Sequence, residues 1–174
     1  MKKLFTPRVI FVATLIFTAI FFRLIPHIPN FTPVAAIALF GGTYLGKKYL
    51  SFLIPFAAMF ISDAIIGFHS TMLAVYISFA IVVGIGIILR RKTTIGTVII
   101  ASLTSSVLFF AITNFASWMG GIMPYPMNFT GLMMAYEAGL PFFRNELTGT
   151  LLFNGVFFCA FYFAQSKFPV LKKA

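Results

Sequence analysis

Apolar residues in this chain come in long unbroken runs separated by short charged or Pro/Gly-rich breaks. Runs of this length read as membrane-crossing helices, because about 20 apolar residues at 1.5 Å each cover a hydrocarbon layer of about 30 Å. The ten-residue alternation of a membrane barrel is missing. The pattern predicts an all-α membrane protein in one domain, with spans at about 8–25, 33–46, 49–68, 71–89, 94–118 and 145–166. A short interfacial helix is expected at 130–140, between the fifth and sixth spans, where the chain is less apolar and rich in turn formers.

The breaks have recognisable chemistry. Pro26-His27-Ile28-Pro29 stops the first run, and Asn30-Phe31-Thr32-Pro33 reads as a side-chain cap followed by proline at the first helical position. Asn128-Phe129-Thr130 repeats the Asn-Phe-Thr triplet at a second expected helix start. Two such starts facing one space would favour an anionic or carbonyl-bearing group, with plain capping as the simpler role. Pro55 predicts a kink in the third span. Ser102, Ser105 and Ser106 sit inside the fifth and are expected to bond neighbouring carbonyls.

Composition agrees with the runs. Of 174 residues, 60% are hydrophobic and 9% charged, and the mean hydropathy is +1.02, too little polar surface for a soluble exterior. The net charge of +10 does not imply nucleic acid, since the bases stand in pairs and triplets at the ends of apolar runs. They do set an orientation. With six spans, Lys2, Lys3, Arg8, Lys47, Lys48, Arg90, Arg91, Lys92, Lys167, Lys172 and Lys173 share one side, whereas Arg23 and Arg144 share the other with Asp63, Glu137 and Glu146. The basic side is then cytoplasmic and carries both termini, as in a multi-pass protein of a bacterial inner membrane. Val9 to Phe22 ends at Arg23 with no small-residue cleavage pattern, so it is expected to stay as the first helix.

Candidate chemistry gathers on the side away from the bases. Asp63 stands inside an apolar run, where an unpaired carboxylate costs at least ~2.5 kcal/mol, so it needs a partner or a water-filled cavity. Arg23, Asn30, Asp63, Asn114, Trp118, Tyr125, Glu137, Arg144 and Asn145 form the expected substrate-binding set, with Tyr136 and Phe142 as further stacking candidates. Neither a metal-ligand spacing around His27 and His69 nor a Gly-rich phosphate loop is present, so no metal, cofactor or ATP hydrolysis by this chain is expected. Cys159 is alone, which leaves no intramolecular disulfide. Ala38, Gly42 and Gly46 put small side chains on one face, suited either to packing in the bundle or to docking a partner.

The series Arg23-x-x-Pro26-x-x-Pro29-Asn30-Phe31-Thr32-Pro33, Ser62-Asp63, Thr113-Asn114-Phe115-x-x-Trp118, Tyr125-Pro126 and Leu140-Pro141-Phe142-Phe143-x-Asn145 resembles an uncharacterised family of small bacterial integral membrane proteins. That family is in turn similar to the S components of energy-coupling-factor vitamin transporters. The resemblance implies a non-enzymatic substrate-binding subunit that takes up a small vitamin-like or heteroaromatic compound and relies on separate ATPase and coupling subunits. Where S components often carry A-x-x-x-A in the first helix, this chain has Thr14-x-x-x-Thr18. Two other functions stay open from the residues: a membrane assembly or scaffold protein working through the glycine stripe, and an intramembrane enzyme using Asp63, Glu137 or a histidine as base.

Overall fold

The computed structural model describes residues 6–172, and they form helices α1 (Pro7–Leu24), α2 (Val34–Tyr44), α3 (Lys48–Ile66), α4 (Met72–Leu89), α5 (Ile95–Met119) and α6 (Phe129–Lys167), followed by a 3-10 turn at Pro169–Lys172. No strand occurs among the described residues. Five of these helices are long and apolar enough to cross a membrane, α2 being the exception. Lys2, Lys3 and Lys173, three of the bases used to assign orientation, lie outside the described residues.

The helices alternate in direction, which separates two ends. At one end Arg8, in the first turn of α1, donates to Tyr44 O at 2.9 Å at the close of α2. Arg90, just past α4, reaches the same place, donating to Thr43 O at 3.2 Å and Gly42 O at 2.6 Å, and also to Gly46 O. At the other end the last turn of α1 meets the last turn of α3 through Arg23 and Asp63. The first end collects Lys47, Lys48, Arg90, Arg91 and Lys92 and is the basic end; the second is the polar end.

The centre of the bundle is α2. Its 11 residues reach only ~16 Å, about half of a hydrocarbon layer. Val34 through Thr43 are all buried, and the helix touches every other helix. A short all-apolar helix is stable there because protein, not lipid, surrounds its ends: the terminal carbonyls that lack a helical partner are met by the two arginine side chains. The expected second span is therefore a half-helix entered through the non-helical stretch 25–33. Its start also differs from expectation, because Pro33 occupies the cap position and no side chain caps it. The turns Phe31 N to Ile28 O and Thr32 N to Asn30 O, both 3.0 Å, shape the entry instead, with Asn30 at φ 62°.

The close approach of α2 and α4 requires glycine. A Cβ on Gly42 would lie 2.9 Å from Gly86 Cα and collide with Val83 O, and one on Gly86 would collide with Leu39 O. Two backbones this near exchange more dispersion contact than larger residues would permit. Gly42 is buried in this contact, Ala38 is buried in the bundle and Gly46 is partly buried, so of the two roles open to the small-residue stripe, packing within the bundle is the one this arrangement fits.

No separate interfacial helix forms at 130–140. That stretch is the first part of α6, which continues through Pro141 for 39 residues. Gly131, Ala135 and Gly139 recur every four residues on its buried face, where Gly139 packs beside Phe110 and Asn114 of α5. This packing outweighs the single hydrogen bond that Pro141 removes. The helix α3 likewise runs on through Pro55.

Candidate functional site

Near the polar end Arg23 Nη2 stands 2.9 Å from Asp63 Oδ1, and Nη1 donates to Ser62 Oγ. Tyr76 Oη, from α4, donates to Asp63 Oδ2 at 2.8 Å. Both carboxylate oxygens thus have partners, which lets a carboxylate sit in the bundle at 1% exposure. Three helices are tied by one acid. The Asp63 side chain lies behind Arg23 and does not line the cavity described next.

A cavity of about 430 Å³ opens at this end, a size suited to a small organic ligand. Arg23, Asn30 and Asn114, three of the expected residues, line it. So do Thr32, Val34 and Ala35, which place the start of the half-helix α2 at its wall. Thr113 and Ser117 of α5 add hydroxyls whose protons go to Phe109 O and Thr113 O, each at 2.8 Å. Phe109, Phe110, Phe142 and Phe143 form an aromatic side, with the Phe110 and Phe143 centroids 4.8 Å apart.

The group that the sequence reading left out of its binding set is Glu146, which lines the cavity from α6 at 7% exposure. Thr150 Oγ1 donates to its Oε1 at 2.9 Å. Oε2 and the Ser106 Oγ beside it are both buried without a closed hydrogen bond. A polar seam continues from there between α5 and α6, where Asn154 Nδ2 donates to Ser102 Oγ at 2.8 Å. Ser102 itself donates to Val98 O at 2.8 Å, as expected, but Ser105 and Ser106 have no partner. The available signal for Glu146 was the one that exposed Asp63: an acid next to a long apolar run.

Other expected residues support the site without lining it. Asn145 Nδ2 donates to Pro29 O at 3.0 Å and fixes the stretch entering α2, while Trp118 Nε1 donates to Pro126 O at 3.0 Å and holds the loop after α5. Tyr125 lies in that loop outside the cavity lining. Tyr136 Oη donates to Ala111 O at 2.9 Å, so of the stacking candidates only Phe142 lines the cavity. Glu137 and Arg144 are exposed on α6 and belong to no ion pair among the described residues. The second Asn-Phe-Thr triplet is a cap, with Asn128 Oδ1 accepting from Gly131 N at 2.9 Å.

Of the histidines, His69 lines the cavity rim and meets Thr71 Oγ1 at 2.9 Å, and His27 is exposed. No three His, Cys, Asp or Glu side chains converge among the described residues. Cys159 is exposed on α6.

A family model described as "Family of unknown function (DUF6580)" matches residues 3–171. The chain belongs to DUF6580. The DUF6580 match takes in all six helices and every residue of the cavity. No curated protein and no solved structure matches the chain.

Proposed function

We propose that this DUF6580 chain is a substrate-binding subunit of a bacterial inner membrane, and that it takes up a small vitamin-like or heteroaromatic compound with the help of a separate energising module. The observation that carries this reading is the cavity of about 430 Å³ at the polar end, where Arg23, Asn114 and Glu146 meet an aromatic wall. Few precisely placed polar groups in a mostly apolar hollow are what orients a small ligand. The half-helix α2, entered through a non-helical stretch at the cavity wall, supports it further. Broken helices of this kind are tolerated in membranes where they line a cavity.

In this reading the basic end faces the cytoplasm and the cavity opens to the opposite side. ATPase and coupling subunits would dock on the basic end, because the chain has no phosphate loop of its own. The test is gentle detergent extraction of the full chain from native membranes, followed by release and mass analysis of any small molecule that leaves with it. A stoichiometric compound that Asn114→Leu loses while staying folded supports the reading. A folded chain that retains nothing and takes nothing from a metabolite extract contradicts it.

A further inference from the structure

The charges that line the cavity do not contribute equally. Arg23 is already neutralised, since its guanidinium is held by Asp63 at 2.9 Å and by Ser62. His69, the other titratable group with positive potential, sits exposed at the rim. Glu146 is different: Thr150 serves one carboxylate oxygen, and the other is buried with no hydrogen bond closed, the equally unpartnered Ser106 hydroxyl lying beside it. Buried carboxylate oxygens are nearly always hydrogen-bonded, and at membrane depth the cost of leaving one bare is high.

The remaining polar groups of the wall point the same way. Thr113 and Ser117 spend their protons on backbone carbonyls, and Asn114 Nδ2 donates to Phe110 O at 2.9 Å. Thr113 and Ser117 are left with hydroxyl oxygens that can only accept, while Asn114 keeps its second amide hydrogen as a donor. A ligand entering this hollow finds hydroxyl acceptors at Thr113 and Ser117, amide groups at Asn30 and Asn114, and one unmatched carboxylate oxygen beside a wall of phenylalanine rings.

We propose, resting on the binding reading above, that the ligand carries a positively charged N–H-donating group of the ammonium or amidinium type, which docks on Glu146 Oε2 with its apolar or planar body against Phe110, Phe142 and Phe143. The start of α2, whose Val34 and Ala35 also line the cavity, is the competing feature, since a helix N-terminus prefers an anion.

Three planar probes of nearly one shape separate the two: benzamidinium, benzamide and benzoate, titrated by calorimetry onto the full chain in lipid nanodiscs. Benzamidinium is expected to bind about tenfold or more tightly than benzamide, the margin of a charge-assisted hydrogen bond. Glu146→Gln should erase that difference, and Glu146→Asp should keep part of it. The comparison on the unaltered chain stands even if both variants misfold. Benzamide or benzoate binding as tightly as benzamidinium overturns the cationic assignment and leaves the binding reading intact. Unchanged benzamidinium affinity in folded Glu146→Gln overturns the docking on Glu146. Saturable binding by none of the three overturns the assignment and the reading beneath it together.

Discussion

Asp63 holds Arg23 at 2.9 Å from the far end of another helix, and with Tyr76 on its second oxygen it fastens α1, α3 and α4 to one another. The acid that looked most like a ligand contact in the sequence is thereby a support beneath one. Asp63→Ala strands a largely buried guanidinium and removes the acceptor of Tyr76, so it should cost about 3–5 kcal/mol of stability. The double variant Arg23→Ala/Asp63→Ala should recover part of that loss. Unfolding in mixed micelles, run as a double-mutant cycle, measures the coupling directly.

The crossing of α2 and α4 makes a sharper prediction. Gly86→Ala puts a methyl group against Leu39 O and Gly42 Cα and should destabilise by about 1–3 kcal/mol. Gly84→Ala, two residues earlier on the same helix, meets nothing within 4 Å. It should be neutral or gain up to ~1 kcal/mol from helix propensity. Thermal unfolding of the two variants side by side decides whether the contact, and not the loss of glycine in general, matters.

Arg90 ties the end of α2 to α3 as well as α4, since Nη2 also donates to Ser51 Oγ at 2.9 Å. Arg90→Lys keeps the charge but loses the planar fork that reaches several carbonyls at once. A loss of about 1–3 kcal/mol is expected, together with faster amide hydrogen exchange at residues 40–46. Exchange that accelerates evenly across all helices would show that Arg90 does not act at α2 in particular.

Much of the fold was legible because hydrophobic runs and their breaks are local. The boundaries of α1, α3, α4 and α5 fall within a few residues of those expected, and the basic residues gather at one end as their spacing implies. The half-length of α2 was harder to see. Its apolar run reads like a short span, and only the burial of both ends by Arg8, Arg90 and the entering stretch explains how a helix half a membrane long survives. The sequence predicts a break between the short helix at 130–140 and the span from 145, but Gly131, Ala135 and Gly139 form a packing face that carries α6 through it.

The site was legible in its ingredients and less so in its roles. Arg23, Asn30 and Asn114 do converge, because each stands at the polar end of its element. Glu137 and Arg144 share that stretch of sequence, yet the turn of α6 sends them outward while bringing Glu146 in. A sequence position fixes depth along a helix. Which way its side chain faces depends on the neighbours that pack against it.

The central claim is that the rare polar side chains enclose one hydrated hollow opening away from the basic end. Its most direct test is labelling with a membrane-impermeant maleimide in a Cys159→Ala background, because a thiol reacts only where water reaches it. Ser117→Cys, in the cavity wall, should react in intact cells and be silent to reagent applied only from the cytoplasmic side, while Lys47→Cys should behave in the opposite way. Reaction of both from the same side, or no reaction of Ser117→Cys from either, would contradict the account.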